Sequence, residues 1–117
     1  MHNNKTQFIL NQLYRLNPPG RIELTLDRIK RLLKDLGNPE KKLKNVIIVG
    51  GTNGKGSTIE FLRSILSENN YSVNVYTSPH VLSFNERINF NGKYITDKQF
   101  EEYVIKIDKA NSGKDIT

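Results

Sequence analysis

Residues 50–58 read Gly-Gly-Thr-Asn-Gly-Lys-Gly-Ser-Thr, directly after the apolar run Val46-Ile47-Ile48-Val49 and directly before a helix-periodic stretch. A buried strand, a glycine-rich turn holding one lysine and a helix opening on hydroxyl residues together make a cradle for phosphate. Backbone N–H groups of such a turn and of the first helical turn lack internal partners, so they face an anion. Glycine lets the backbone take positive φ and approach the phosphates closely. Lys55 adds a compact positive charge for the terminal phosphates. The candidate cradle is Gly51, Thr52, Asn53, Gly54, Lys55, Gly56 and Ser57, and it implies a nucleoside triphosphate as ligand.

The spacing departs from the common P-loop, G-x-x-x-x-G-K-[ST]. That pattern wants glycine where this chain has Val49, and a hydroxyl residue directly after the lysine, where it has Gly56. The hydroxyl arrives one place late, as Ser57. A generic kinase or GTPase is therefore disfavoured. Glycine-rich turns also occur as plain loops, and it is the flanking strand and helix that favour a cradle here.

After Ser57, the residues Ile59, Leu62, Ile65 and Leu66 fall at helical spacing, and Asn69-Asn70 closes the stretch with a residue tolerant of the left-handed conformation. Residues 72–77, Ser-Val-Asn-Val-Tyr-Thr, then alternate as a strand does. Strand, helix and strand predict a βαβ unit with a parallel pair, hence an α/β fold of the P-loop type with flanking helices. Ligands of such sheets lie beyond the carboxyl ends of the strands. The cradle and the segment Ser78-Pro79-His80 both belong at that edge.

Elsewhere the pattern predicts helices and one hairpin. Phe8, Ile9, Leu13 and Leu16 mark a first helix, halted by Pro18-Pro19-Gly20. A second helix runs from Thr25 as N-cap, with Leu26, Ile29, Leu33 and Leu36 on one face and Gly37 and Pro39 stopping it. Asn91-Gly92 between Ile88-Asn89-Phe90 and Lys93-Tyr94-Ile95 predicts a hairpin with a primed two-residue turn. A last helix opens at Thr96, with Gln99 completing a capping box and Phe100, Tyr103, Val104 and Ile107 as its buried stripe.

A chain of 117 residues is one domain at most, and at 36% hydrophobic it buries only a modest core. The net charge of +6 suits anionic partners. Nucleic acid is disfavoured: the 18 lysines and arginines are spread along the chain, and the densest patch, Lys41, Lys42 and Lys44, sits on a linker. Neither an RNA-binding aromatic motif nor a zinc spacing is present. The absence of cysteine excludes disulfides and thiolate metal sites and agrees with a cytoplasmic enzyme. No stretch has the length and apolarity of a membrane span, which leaves the membrane out as a partner.

Three segments now carry a resemblance: the cradle Gly51 to Ser57, then Tyr76-Thr77-Ser78-Pro79-His80, then Phe84-Asn85-Glu86-Arg87-Ile88. Together with Leu24 to Ile29 and Leu36-Gly37-Asn38-Pro39, they resemble the folylpolyglutamate synthase/dihydrofolate synthase family of Mur-ligase-like, ATP-dependent ligases, in the family's order. Gly50 stands where the family usually has alanine, and Ser83 where a basic residue is common. The resemblance implies ATP and Mg²⁺ as cofactors, and folate or dihydropteroate with L-glutamate as substrates. It implies phosphorylation of a pterin carboxylate, followed by attack of the glutamate amino group on the acyl phosphate. Lys55 would be the catalytic cation, and Ser78 would ligate Mg²⁺. Ser57, which opens the helix beside Lys55, is the competing ligand, and Ser78 also reads as a hydroxyl satisfying a turn before Pro79. Weaker substrate assignments fall on Thr25, Leu26, Asp27, Arg28, His80, Phe84 and Arg87. The segment 78–87 resembles the family's mobile loop that closes on folate.

Family members run several times longer. The resemblance therefore implies that residues 1–117 form the amino-terminal part of an ATP-binding domain, without the carboxy-terminal glutamate-binding domain, from a protein that is monomeric when full length. Such a part is expected to be inactive by itself. The alternative function is a non-catalytic nucleotide-binding module or a small P-loop phosphotransferase.

Overall fold

The computed structural model describes residues 2–15 and 25–114. They form two compact units, one spanning Val46–Asp97 and the other made of residues 2–15, 25–45 and 98–114. Expectations for Leu16 and for Pro18 to Gly20 lie outside the described residues.

In the second unit, helix α1 spans Asn4–Arg15 and helix α2 spans Asp27–Asp35. A 3₁₀ turn, Pro39–Lys42, follows, and helix α4, Asp97–Asn111, contributes all but its first residue. Helix α2 starts later than expected. Leu26, not Thr25, is its N-cap: the Leu26 carbonyl accepts from Lys30 N–H at 2.9 Å, and no side chain caps the end. Its carboxyl end follows expectation. Gly37 at φ 83° donates to the Lys34 carbonyl and Asn38 donates to the Leu33 carbonyl, the paired bonds of a Schellman motif.

The buried faces of these helices differ from the apolar stripes. In α1 the buried residues are Thr6 and Leu10, while Phe8 and Leu13 are exposed. In α2 it is Leu32, one position from the expected Leu33, and both Leu26 and Ile29 are exposed. In α4 it is Phe100 with the polar Glu101 and Asn111, while Tyr103 and Ile107 are exposed. The physical reason is polar pairing. Glu101 accepts from Thr6 Oγ1 at 2.8 Å and Asn3 Nδ2 at 3.1 Å, and pairs with Lys5 at 3.0 Å. Asn111 accepts from Arg31 at 2.8 Å and donates to the Lys114 carbonyl at 2.6 Å. Buried polar groups need partners, and these residues find them across the sequence.

In the first unit, helix α3 spans Lys55–Glu68 and is followed by strands β1, Asn74–Tyr76, β2, Ile88–Phe90, and β3, Lys93–Tyr94. Helix α3 ends as expected: Asn70 takes φ 63°, with Tyr71 N–H on the Leu66 carbonyl and Asn70 N–H on the Ser67 carbonyl. The hairpin also forms as expected. Asn91 and Gly92 both have positive φ, 47° and 87°, the requirement of a type I′ turn. Ile95, at the end of that hairpin, is the buried apolar residue of this unit.

The sheet itself is antiparallel in the order β1-β2-β3, with Tyr76 opposite Ile88 and Asn74 opposite Phe90. Among the described residues, 46–49 belongs to no ladder, and Ile48 is 90% exposed. A strand is defined by its partner; β1 pairs one edge with the hairpin that follows it, and residues 46–49 form no ladder with its other edge. The apolar run therefore does not behave as a buried strand in this chain. Among the described residues no helix is long and apolar enough to cross a membrane.

Candidate functional site

The turn at 50–54 is shaped by two glycines. Gly51 at φ 140° and Gly54 at φ 75° occupy the positive-φ half of backbone space, which L side chains enter only with strain. Gly54 is the N-cap of α3, and Thr58 N–H to the Gly54 carbonyl, 2.9 Å, is the first helical bond. The N–H groups of Lys55, Gly56 and Ser57 precede it, so they have no partner within the helix. The Lys55 ammonium folds back on the turn, donating to the Gly51 carbonyl at 2.6 Å and the Thr52 carbonyl at 3.4 Å. Both are exposed contacts that a stronger anionic acceptor replaces readily.

A cavity of about 120 Å³ opens against this turn, lined by Val49, Lys55, Gly56, Ile59, Tyr76, Thr77 and Ser78. Residues of the cradle and of the segment after β1 thus meet at one place. Ser78 lines it together with Lys55; Ser57 is not part of the lining. Among the described residues no cluster of three histidine, aspartate or glutamate side chains is arranged to hold a metal.

Beyond Ser78 the chain enters a segment tied to itself. His80 Nδ1 accepts from Arg87 Nε at 2.8 Å. The His80 and Phe84 rings meet edge to face with centroids 5.8 Å apart, and the Arg87 guanidinium lies 5.2 Å from the Phe84 centroid. His80, Phe84 and Arg87, three of the weaker assignments, therefore form one cluster.

Two residues at this site were not singled out from the sequence. Glu86 accepts from three consecutive backbone N–H groups: Val81 at 2.9 Å, Leu82 at 3.0 Å and Ser83 at 2.8 Å. Those bonds, the one from Val81 foremost, hold its carboxyl below the usual carboxylate range, with His80 adding a smaller electrostatic contribution. Asn85 Nδ2 donates to Asp97 Oδ1 at 2.8 Å. A signal for the first existed: Ser83 and Glu86 have the spacing of a capping box, and both of its bonds are present around the 3₁₀ turn Phe84–Arg87. Thr25, Leu26, Asp27 and Arg28 belong to the other unit, at the start of α2, and are not part of this cavity.

No protein-family model matches the chain. Individual relatives do. The dihydrofolate synthase/folylpolyglutamate synthase of Bacillus subtilis (strain 168) is 49% identical over 79 residues, which is 68% of this chain and 18% of that protein. Among solved structures, E. coli FolC in complex with DHPP and ADP superposes with a TM-score of 0.79 at 31% identity, over 96% of this chain and 27% of that one. A bifunctional folylpolyglutamate synthase/dihydrofolate synthase with Mn, AMPPNP and L-glutamate bound does so with a TM-score of 0.79 at 30% identity, over 96% of this chain and 26% of the other. The chain belongs to the folylpolyglutamate synthase/dihydrofolate synthase family. It spans only 18% to 27% of the length of the first curated relatives it matches. The likeness covers both units, so the fold is that of part of a Mur-ligase-like enzyme.

Proposed function

We propose that the protein carrying this chain is an ATP-dependent ligase that joins L-glutamate to folate or dihydropteroate. Residues 46–97 would supply its nucleotide-phosphate site. The observation that carries this reading is the lining of one cavity by Lys55, Gly56 and Ser78. The family's ligases, two of which hold an adenine nucleotide in their solved structures, supply its chemical context.

The residues present fit the groups involved. Gly51 and Gly54 keep the turn free of side chains where phosphates would approach, and the first-turn N–H groups of α3 would donate to them. ATP supplies the phosphoryl group that activates the substrate carboxylate. Lys55 would move its ammonium from the Gly51 carbonyl to the anionic oxygens and hold their charge as it redistributes. Ser78, which lines the same cavity, would offer its hydroxyl to Mg²⁺, a hard cation that keeps several waters and takes phosphate oxygens. His80, Phe84 and Arg87 would border the pterin-bearing substrate, and the substrate role of Thr25, Leu26, Asp27 and Arg28 is proposed on the family resemblance alone.

A parallel arrangement of residues 46–49 beside β1 belongs to this proposal. Val49 and Tyr76, the ends of the two segments, line the same cavity, which supports it. The test is ADP formation by the intact protein with each organic substrate withheld in turn. The reading expects turnover to require both the pterin acid and L-glutamate. ATP turnover that is indifferent to them would favour a phosphotransferase or a simple nucleotide-binding module instead.

A further inference from the structure

Residues 80–87 lie between β1 and β2, and they carry two large apolar side chains on the outside: Val81 is 87% exposed and Leu82 is 89% exposed. An exposed apolar pair in a loop normally collapses onto the nearest apolar surface, because leaving it in water costs free energy. Here the backbone beneath it is fastened. Glu86 Oε1 takes the N–H groups of Leu82 and Ser83, and Oε2 takes that of Val81. The next residue, Arg87, closes onto His80, and the residue before, Asn85, is tied to Asp97. One carboxylate thus joins the outward half of the loop to the turn that carries Phe84 and Arg87.

We infer that Glu86 is a positioning residue. Its three backbone bonds fix the Val81-Leu82 tip and the His80–Phe84–Arg87 cluster in the arrangement that receives the pterin-bearing acid. The inference rests on the ligase reading above for the identity of that substrate. Glu86 does not line the cavity, and its action is through the backbone of residues 81–83. Charge-assisted bonds to N–H groups are stronger than neutral ones, and a carboxylate has lone pairs enough for all three. A glutamine has the same shape, but it presents an N–H₂ group to backbone donors and cannot accept at both ends.

The experiment compares the intact protein with its Glu86→Gln, Ser83→Ala and Glu60→Gln variants. Amide hydrogen exchange at Val81, Leu82 and Ser83, steady-state kinetics and the thermal midpoint are read for each. In Glu86→Gln, which loses one accepting oxygen, exchange at one or more of those amides and KM for the pterin acid should each rise about tenfold, while KM for ATP and the thermal midpoint stay unchanged. Ser83→Ala removes the capping hydroxyl and leaves all three Glu86 bonds, so its KM for the pterin acid should stay close to that of the parent protein. Among the described residues Glu60 pairs with Arg63 on the exposed face of α3, so its variant should match the parent throughout. Unchanged exchange in Glu86→Gln overturns the inference. So does a rise in KM for ATP equal to that for the pterin acid, or a Ser83→Ala variant as impaired as Glu86→Gln. A parent protein without ligase turnover overturns the functional reading instead, and exchange at 81–83 then decides the positioning role by itself.

Discussion

Lys55 and Ser78 are separated by a helix and a strand in sequence, yet they face one cavity. Each has a role that one substitution isolates. Lys55 makes only exposed contacts with turn carbonyls, so Lys55→Ala should leave the thermal midpoint unchanged. Turnover should fall about a hundredfold or more, as happens when a fixed positive group is taken from a developing anion. Retained turnover would remove Lys55 from the site. Ser78→Ala should weaken the apparent Mg²⁺ affinity about tenfold with little effect on ATP binding in the absence of metal. An unchanged Mg²⁺ titration would return the ligand role to Ser57. The glycine turn was legible in sequence because positive φ at Gly51 and Gly54 is a local demand of their residue type. Glu86 was not, because a carboxylate next to an arginine reads as a surface charge until its three backbone donors are seen.

At the scale of elements, local chemistry decided the ends and distant partners decided the faces. The Asn91-Gly92 turn, the left-handed Asn70 after α3 and the Gly37 stop after α2 all formed where their residue types demand them. Gly92→Ala tests this directly. An added Cβ meets no atom within 4 Å, so any loss comes from φ 87° itself. The expected cost is about 1–2 kcal/mol, read as a shift in the urea midpoint with an unchanged slope. No loss of stability would mean that the hairpin turn relaxes freely to another type. The helix faces behaved differently. Thr6, Glu101 and Asn111 are buried where apolar stripes pointed elsewhere, since a polar side chain is buried only at the rotation that brings its partners to it.

Across the whole molecule, Glu101 links the amino-terminal residues to α4 within one unit. Its contacts with Lys5, then Thr6 and Asn3, hold its carboxyl below its ordinary value near 4.5. A carboxylate depressed in the folded state contributes stability that is fully present above the unfolded value. That stability is lost as pH falls through the folded one. The urea midpoint should therefore decline on going from about pH 6 to about pH 3, and Glu101→Gln should flatten that decline. An equal slope in both proteins would detach α1 from the acid response. The sequence by itself marked the hairpin turn, the carboxyl ends of α2 and α3 and the family, because turn residues, caps and glycine spacing act over a few neighbouring positions. Only the tertiary structure decided which side of each helix is buried, that β1 pairs with the hairpin after it, and that one glutamate fastens residues 81–83. Each of those depends on donors, acceptors and strand edges that folding brings from elsewhere in the chain.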